Sequence, residues 1–364
     1  MNSPAAQRLP PASRFKSPLR DRVREGLGRA GLVVLSVVAV LAVLELGLRA
    51  ADGWLLDWHN LVLGARTVHN TTEQGRFMHD ALVGYVPRPD GLRPTLKGGE
   101  EAPGVPILAV GDSYTYGEEV GDNETWPARL QKIANHRVLN AGVSGYGFDQ
   151  SVLRAEQLAA VRRPSAIVVS FIPDDIRRTE MRRQWGAEKP YFDFQGDGPN
   201  GGLVLRNVPV PPRPDPRTTL SFWQRTLGHS YLFDFVLRRL DLLYDWFGDH
   251  VRVHAPGEGE RIACLLTERL RGLQASSGGR VVVLAEYDPM VWQKPEFAAE
   301  QRRMAGALLA CAKERGLATI DSFDALASAP GGGRSLYALW HMNDKGNRLI
   351  AGLVADALGG GATR

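Results

Sequence analysis

The sequence predicts an α/β domain, with helices on both faces of a five-stranded parallel sheet, behind one N-terminal transmembrane helix. Two observations carry this prediction. From residue 106 onward, short apolar runs alternate with longer stretches of helical periodicity, which is the pattern of βαβ units. Ahead of them, residues 30–50 form one apolar segment, close to the roughly 20 residues needed to cross a bilayer. We therefore expect a flavodoxin-like three-layer α/β/α sandwich.

The strands of the expected sheet come from five apolar runs, each short enough to be a buried parallel strand. These strands are placed near residues 106–110, 137–140, 165–171, 280–286 and 317–320. The helices between and after them are placed near residues 125–135, 148–161, 258–275, 296–315 and 343–357. Pro127 suits an early helical position, and Gly316 suits a helix C-terminus.

Charge separates the N-terminal tail from the rest of the chain. Residues 1–29 hold seven basic and two acidic side chains, a net charge of +5, whereas the whole chain carries +4. The remainder is therefore almost neutral, and no nucleic-acid partner is expected. The two charged members of the apolar segment, Glu45 and Arg49, are four residues apart near its end and can pair.

The basic tail precedes the apolar segment, so the N-terminus is expected in the cytoplasm and the body on the far side of the membrane. In a bacterium this arrangement is a single-pass inner-membrane protein with a periplasmic catalytic domain. A cleaved signal peptide is the alternative, but cleavage after Ala50 would place Leu48 at −3 and cleavage after Ala51 would place Arg49 there. We therefore expect an uncleaved anchor.

Two regions of the chain do not follow the alternating pattern. Residues 51–105 are interpreted as a membrane-proximal connector with Trp54 and Trp58, followed by a turn-rich lead-in to the domain at 106–364. Residues 177–257 form an insertion, predicted as two strands about a Gly-rich turn, a proline-rich segment and a helix over 230–247. This insertion is either a lid over the substrate or a packed structural excursion.

The two cysteines, Cys264 and Cys311, are too few for a disulfide framework or a zinc site. They are expected as two buried thiols on helices, although an oxidising compartment would permit one bridge. No cofactor and no metal ion are expected.

The candidate nucleophile follows the first predicted strand. In the segment Pro106–Gly117, the strand breaks at Gly111 and Ser113 comes two residues later, at the edge of the sheet where ligands bind in open α/β folds. The spacing is not the Gly-x-Ser-x-Gly elbow, because Thr115 stands two residues after the serine.

Three further segments fall at the same edge of the sheet. The glycines of Asn140–Gly147 follow the second strand, where backbone N–H groups can face a developing oxyanion. Ser170–Ile176 follows the third strand and contains Asp174. Leu339–Ile350 opens the last helix, and its His341 is the candidate general base.

Together these four blocks resemble the SGNH (GDSL) hydrolase superfamily, over about residues 80–358. The resemblance implies that Ser113 is the nucleophile, that His341 is its base, and that Ser113 and Gly145 contribute N–H groups to the oxyanion hole. The family's oxyanion asparagine falls on Asp174, whose pKa we expect burial to raise. The family's aspartate before the histidine falls on Ala338 or Leu339, neither of which is acidic. His341 therefore loses control of its tautomer unless a backbone carbonyl, Asp321, Asp324 or Asp344 substitutes for that acid.

The resemblance implies a membrane-anchored serine esterase or O-acyltransferase acting on acyl esters, with acetyl esters of an exported glycan as the expected substrate. The expected partners are an acylated glycan or lipid, the membrane, and a membrane-bound acyltransferase. Two alternatives stay open. One is a catalytically weak protein that binds a polysaccharide or an acyltransferase, because Asp174 and the missing acid depart from the family. The other is a lipase or lysophospholipase, because the chain is close to the membrane.

Overall fold

In the computed structural model of the chain, the structure describes residues 18–51, 76–87, 90–95, 103–196, 201–212 and 220–359. The chain divides into two compact units, Met1–His69 with Arg225–Leu240, and Asn70–Gln224 with Asp241–Arg364. The predicted connector around Trp54 and Trp58 lies outside the described residues, as does the tail before residue 18.

The N-terminal apolar segment is a continuous helix. Helix α1 spans Pro18–Ala51, and its part Gly26–Ala51 is long and apolar enough to cross a membrane, with a mean hydropathy of 2.6 over its most apolar window. A signal sequence near the N-terminus would have the same length and composition. The predicted ion pair of Glu45 and Arg49 is confirmed, because Arg49 Nε lies 2.6 Å from Glu45 Oε1.

The predicted lead-in contains a short antiparallel hairpin of β1 (Phe77–Asp80) and β2 (Gly84–Pro87). The first half of the α/β domain follows. In chain order its elements are β3 (Ile107–Val110), α2 (Ser113–Tyr116), α3 (Trp126–Ala134), β4 (Val138–Asn140), α4 (Phe148–Arg162) and β5 (Ala166–Phe171).

The insertion is made of short elements. Helix α5 (Pro173–Arg178) follows β5 and leads into the insertion. The elements of the insertion, in chain order, are β6 (Met181–Gln184), β7 (Ala187–Glu188), β8 (Tyr191–Gln195), β9 (Gly202–Arg206), α6 (Phe222–Leu227), α7 (Tyr231–Arg239), α8 (Leu243–Phe247) and β10 (Val251–Arg252). The predicted two-stranded hairpin is confirmed, since β8 pairs with β9 antiparallel. The prediction of a single helix over 230–247 is wrong, because this segment forms two helices, α7 and α8. Between them the chain turns at Asp241, which has a φ of 56°, a left-handed conformation that aspartate tolerates.

The second half of the domain completes the sheet. Its elements are α9 (Glu258–Ser277), β11 (Arg280–Ala285), α10 (Pro295–Glu314), β12 (Ala318–Asp321), α11 (Phe323–Ala327) and α12 (Asp344–Ala357). Short 3₁₀ turns cover Pro289–Trp292 and Gly333–Leu336.

Five strands form the parallel sheet in the order β12-β11-β5-β3-β4. This is the flavodoxin-like order, so the predicted fold class is correct. Every residue of β3, β4 and β5 is buried, as expected for strands that are covered by helices on both faces. The order reverses between β3 and β5, and Ser113 follows β3 at this switch point, where open α/β sheets bind ligands.

A buried ion pair joins the insertion to the core. Lys189, only 1% exposed, places Nζ 2.5 Å from Asp149 Oδ2 in the first turn of α4. The same ammonium donates to the backbone carbonyls of Arg178 and Met181 at 3.2 and 3.1 Å. Burial raises the pKa of Asp149 and lowers the pKa of Lys189, so each charge depends on the other.

The cysteines form a disulfide between two neighbouring helices. Cys264 on α9 and Cys311 on α10 have their Cα atoms 5.4 Å apart. The expectation of two buried free thiols is therefore wrong. The two helices pack side by side, which brings together two half-buried positions that are 47 residues apart in sequence.

Candidate active site

The turn that carries Ser113 is shaped by its neighbours. The Asp112 carboxylate caps α2 by accepting from the Tyr114 N–H at 2.9 Å, and Gly117 ends the turn at φ 85°. Gly142 lies so close that a Cβ there would sit 2.3 Å from the Tyr116 nitrogen, so only glycine fits. Ser113 is 9% exposed at the surface of the site.

His341 lies beside the serine. Its Nε2 is 3.0 Å from Ser113 Oγ, a hydrogen-bond distance suited to proton transfer. Tyr114 supports the loop that carries the histidine, because its hydroxyl donates to the Trp340 carbonyl at 3.0 Å. Asn343 caps the following helix α12 by accepting from two backbone N–H groups, which fixes the chain immediately after His341.

The carboxylate beside the histidine is Glu119. Its Oε1 lies 3.3 Å from His341 Nδ1, and its oxygens accept the backbone N–H groups of Leu339 at 2.9 Å, Trp340 at 3.2 Å and His341 at 3.3 Å. Partial burial raises the pKa of Glu119, but these N–H donors and the imidazole outweigh burial and hold that pKa below its ordinary value. Glu119 is therefore ionised at neutral pH.

Arg93 fixes the loop that presents Glu119. Its guanidinium donates to the carbonyls of Tyr116 and Val120, both at 2.7 Å, and pairs with Asp122 at 3.0 Å. Within this loop Glu119 adopts φ 67°, in the left-handed region that non-glycine residues rarely occupy. The chain thus folds back within six residues of Ser113 to meet a histidine that is more than 220 residues away.

The carboxylates that the sequence offered for this position have other partners. Asp321 accepts from the Tyr287 hydroxyl at 2.9 Å, Asp324 pairs with Arg302 at 3.3 Å, and Asp344 pairs with two arginines. None of these three candidate substitutes is the carboxylate bound to His341, which is Glu119. The sequence analysis did not identify Glu119, because in the family the acid comes shortly before the histidine in the chain. In this chain the acid comes six residues after Ser113. The available signal was the pair of acids, Glu118 and Glu119, directly after Gly117.

Gly145, the predicted oxyanion donor, lies in a narrow turn between β4 and α4. It adopts φ 81°, and a Cβ there would sit 2.9 Å from the Trp185 ring and 3.1 Å from the Tyr85 hydroxyl. The same hydroxyl donates to the Ser144 carbonyl at 3.0 Å. The insertion therefore contacts this glycine block through Trp185, which has 37% of its surface exposed.

Asp174, placed in the oxyanion hole by the resemblance, lies in the first turn of α5 and pairs with two arginines. One is Arg177, and the other is Arg178 at 2.9 Å. Burial raises the pKa of Asp174, but the two guanidinium groups outweigh it and the pKa is lowered. The expectation of a raised pKa is wrong, so Asp174 is an anion that has no proton to donate.

Arg178 is the cation at the centre of this side of the site. Its Nη1 donates to the Tyr146 carbonyl at 2.9 Å and to Asp175 at 2.6 Å, and lies 3.7 Å from Asp112. Burial lowers the pKa of Arg178, but the surrounding carboxylates raise it above its ordinary value. Burial raises the pKa of Asp112 and of Asp175, and the nearby charge of Asp112 raises the pKa of Asp175 further. The cluster thus surrounds a permanent positive charge with buried acids.

The site brings together the three side chains that a serine nucleophile requires. Hydrogen-bond contacts connect the Ser113 hydroxyl to the His341 imidazole and that imidazole to the Glu119 carboxylate. This arrangement activates a serine nucleophile. Among the described residues, no group of three or more histidine, cysteine, aspartate or glutamate side chains could hold a metal ion.

The chain is similar to several solved structures. The chain is similar to the crystal structure of TesA, at 16% identity, with 70% of this chain and 97% of that chain covered and a TM-score of 0.39. It is similar to LAE5, an alpha/beta hydrolase from the metagenome of Lake Arreo, Spain, at 15% identity, with coverages of 71% and 96% and a TM-score of 0.43.

A third similar structure is a catalytic mutant of Axe2, an acetylxylan esterase from Geobacillus stearothermophilus. It shares 11% identity, covers 70% of this chain and 94% of that chain, and has a TM-score of 0.40. No curated protein matches the chain. The model of the GDSL-like Lipase/Acylhydrolase family matches residues 109–349, a segment that begins in β3 and ends in α12. This match confirms the resemblance to the SGNH superfamily, and the chain belongs to the GDSL-like Lipase/Acylhydrolase family.

Proposed function

We propose that this chain is a membrane-anchored serine esterase that cleaves acyl esters, with acetyl as the acyl group, from a glycan outside the cytoplasm. The observation that carries the proposal is the hydrogen-bonded line of three side chains. Ser113 Oγ contacts His341 Nε2 at 3.0 Å, and His341 Nδ1 contacts Glu119 at 3.3 Å. A serine in this setting is more nucleophilic than an isolated hydroxyl.

In the proposed reaction, Ser113 Oγ attacks the ester carbonyl carbon while His341 Nε2 takes the hydroxyl proton. The tetrahedral intermediate then collapses, the bond to the sugar oxygen breaks, and the leaving alkoxide takes the proton from His341. Water next attacks the acyl-serine, with the same imidazole as base, and releases the acid and the free serine.

Glu119 is the positioning residue of this mechanism. Its ionised carboxylate accepts a hydrogen bond from the Nδ1–H of His341, which keeps the proton on Nδ1 and leaves Nε2 free to receive the proton of Ser113. It also stabilises the imidazolium that forms during attack. Because the same carboxylate binds three consecutive backbone N–H groups, it fixes both the ring and the loop that carries it.

The oxyanion is assigned to backbone donors. The N–H groups of Ser113 and Gly145 are the proposed pair, as the family resemblance implies, and Gly145 has the left-handed conformation that orients a backbone N–H away from the regular turn. Asp174 is left out of the hole because its carboxylate is ionised and bound to arginines. Its role is to hold Arg178, whose charge lies beside the glycine block.

Two exposed aromatic side chains support a sugar ester as the substrate. Trp340, next to His341, is 53% exposed, and Trp185 contacts Gly145 with 37% of its surface exposed. Indole faces offer flat apolar surface to which the C–H faces of sugar rings can pack. We expect Trp185→Ala and Trp340→Ala to raise KM for an acetylated oligosaccharide while p-nitrophenyl acetate turnover stays within a few-fold.

Trp223→Ala is the matched control for these variants, because Trp223 is 64% exposed on α6 and meets Phe222 edge to face. This variant should change neither KM for the acetylated oligosaccharide nor the turnover of p-nitrophenyl acetate. Equal loss on both esters in the two active-site variants would show that the tryptophans only support the fold, and would remove the sugar subsite from the proposal.

The proposed location outside the cytoplasm is supported by two features of the chain. Helix α1 supplies an apolar span of 26 residues next to a basic tail, which favours a cytoplasmic N-terminus. The bond between Cys264 and Cys311 fits an oxidising compartment such as the periplasm.

Acyl transfer uses the same first half-reaction, and a second sugar hydroxyl would then replace water. Under this alternative a membrane-bound acyltransferase is a natural partner. The binding-protein alternative loses one of its two supports, because Glu119 takes the place of the missing acid. A lipase or lysophospholipase remains a competing substrate assignment, favoured by the 66% exposed Leu339 beside the site.

The decisive experiment for the catalytic pair uses p-nitrophenyl acetate. Ser113→Ala and His341→Ala should each abolish hydrolysis, and the double variant should be scarcely slower than either single one, because residues that act as a unit are not additive. Undiminished hydrolysis in Ser113→Ala would remove the serine mechanism. Losses that multiply in the double variant would contradict a cooperating pair.

A further inference from the structure

The glutamate near the end of α1 binds the start of helix α7. Glu45 accepts from the Ser230 hydroxyl at 2.9 Å, from the Tyr231 N–H at 3.0 Å and from the Leu232 N–H at 2.8 Å. These groups are the N-cap and the first turn of α7, whose N–H groups have no partner within the helix. Glu45 therefore acts as a capping carboxylate supplied by another helix.

Arg49 strengthens the same contact. Its Nε lies 2.6 Å from Glu45, its guanidinium carbon lies 4.6 Å above the Tyr231 ring, and it donates to the His229 carbonyl. Four residues at the start of α7, His229 to Leu232, are thus fixed to two residues of α1. A charged pair at the end of an apolar helix is explained by this docking.

The contact has a defined depth if α1 crosses a bilayer. Glu45 lies six residues before Ala51, which corresponds to about 9 Å along the helix axis. The apolar span of 26 residues exceeds the roughly 20 residues that the hydrocarbon core requires. Glu45 and the first turn of α7 are therefore at the boundary between hydrocarbon and headgroups, on the side where α1 ends.

The outer surface of α7 is apolar. Phe235 is 52% exposed, Val236 is 41% exposed, and Leu240 just after the helix is 60% exposed, whereas Tyr231 and Leu237 are buried. Arg238 and Arg239 follow in the last turn, where Arg238 pairs with Asp234 at 2.6 Å. An exposed apolar surface next to basic residues is typical of helices that lie in a membrane interface and contact anionic lipid.

We propose that α7 is an interfacial membrane helix, docked on the anchor by Glu45 and covered on its outer face by lipid. This inference rests on the proposed anchoring of α1. The occupant is lipid because α7 is fixed to α1 at the depth where acyl chains meet headgroups. A groove between the two helices is lined by the apolar Val38, Leu41 and Leu232 and by the docking residues Glu45, Arg49 and Ser230.

The test places an environment-sensitive fluorophore on α7 in the full chain. Phe235→Cys is labelled with a nitrobenzoxadiazole group, with the native disulfide oxidised, and the protein is reconstituted in phosphatidylcholine–phosphatidylglycerol vesicles. Nitroxide-labelled lipid should quench most of the emission, and aqueous iodide should quench little. Glu300→Cys on α10, where the native side chain is 54% exposed, is the matched control and should show the opposite response.

A second variant tests the docking itself. Glu45→Leu keeps α1 apolar and anchored but removes the cap, so quenching of the residue 235 probe by lipid should fall while the chain stays resistant to carbonate extraction. An anchored wild-type chain whose residue 235 probe responds only to iodide would overturn the inference. Release of that chain by carbonate would overturn the anchor and the inference together. Hydrolysis of p-nitrophenyl acetate, measured in the same samples, reports on the proposed esterase separately.

Discussion

At the scale of single residues, the site differs from its family at the two acids. The family's acid shortly before the histidine is absent. Glu119, six residues after the nucleophile in the chain, supplies the carboxylate that contacts His341 instead. At the position where the resemblance places the family's oxyanion asparagine, this chain has Asp174, whose carboxylate binds Arg177 and Arg178. The first change keeps the line of three side chains complete, and the second leaves the oxyanion to backbone N–H groups in the proposed mechanism.

Replacing Glu119 tests the first change. Glu119→Gln keeps an oxygen for the backbone N–H groups but removes the charge that stabilises the imidazolium and selects its tautomer. We expect kcat/KM for p-nitrophenyl acetate to fall by about 10²–10⁴-fold, with KM little changed. Glu119→Asp should recover part of the rate, because it restores the charge at a shorter reach.

Glu118 supplies the control for this measurement, because it is the adjacent carboxylate in the same loop. It pairs with Arg76 at 2.8 Å and accepts from Ser144, without contact to His341. Glu118→Gln should therefore leave kcat/KM within a few-fold of the wild type. Equal losses in the two variants would mean that Glu119 only supports the loop.

Glu286, at the end of β11, links stability to pH. Burial raises the pKa of Glu286 to about 8, and Ser170 donates a hydrogen bond to it. The folded state therefore binds this proton more tightly than the unfolded state, whose glutamate titrates near 4.5. The resulting contribution to the free energy of unfolding is fully present below pH 4.5 and is lost as pH rises through about 8.

Glu286→Gln should remove this dependence. The free energy of unfolding of the wild type should fall relative to the variant by about 1.4 kcal/mol per pH unit at most, between pH 5 and 8, and the difference should level off above pH 8. Urea titrations of both proteins at several pH values measure it. If the difference in the free energy of unfolding between the wild type and Glu286→Gln stays constant from pH 5 to 8, Glu286 is not protonated in the folded state.

At the scale of elements, the sheet and its helices were predictable from the sequence alone. The five predicted strands match β3, β4, β5, β11 and β12, and the five predicted helices match α3, α4, α9, α10 and α12, within two residues at each end. Apolar periodicity, Pro127 near a helix start and Gly316 near a helix end carry that information locally.

Features that depend on tertiary contacts were not predictable from these patterns. Glu119 meets His341 only because the Arg93-bound loop folds back, and the bridge between Cys264 and Cys311 requires α9 to pack beside α10. The break at Asp241 was missed because the apolar positions continue through it. Chain order did identify Ser113 and His341, because both follow parallel strands that end at one edge of the sheet.

The buried pair of Lys189 and Asp149 should contribute strongly to the attachment of the insertion. Lys189→Met leaves the carboxylate of Asp149 buried without its partner, so we expect a loss of about 3–5 kcal/mol in the free energy of unfolding. Adding Asp149→Leu should restore most of the loss, since an apolar pair of similar volume replaces two buried charges.

The exposed pair of Arg271 and Glu268 on α9 is the control for this comparison. Arg271→Met should leave the thermal midpoint unchanged, because an exposed ion pair contributes little to stability. If the double variant is less stable than Lys189→Met, the pair does not act as a unit.

At the scale of the whole molecule, the proposed anchor, the proposed interfacial helix and the proposed esterase site belong to one chain. Alkaline phosphatase fused after residue 60 should be active, because the basic tail holds the N-terminus in the cytoplasm and places residue 60 outside. A cytoplasmic reporter at the same position should be inactive. The opposite pattern of the two reporters would contradict the topology.

The disulfide gives an independent check of the same topology. In the exported full chain Cys264 and Cys311 should resist maleimide until a reductant is added, because they are bonded to each other. Reduction should also lower the thermal midpoint, since loss of a native disulfide typically costs about 2–5 kcal/mol. Two thiols that react before reduction would place the body in a reducing compartment.

The central claim is that Ser113 is an activated nucleophile, and covalent labelling by a fluorophosphonate tests it most directly. The account predicts that the full-length wild-type chain is labelled on Ser113, as located by peptide mass spectrometry, that Ser113→Ala is not labelled, and that Glu119→Gln is labelled much more slowly. A folded wild-type chain that stays unlabelled, or a label that persists in Ser113→Ala, would contradict the account.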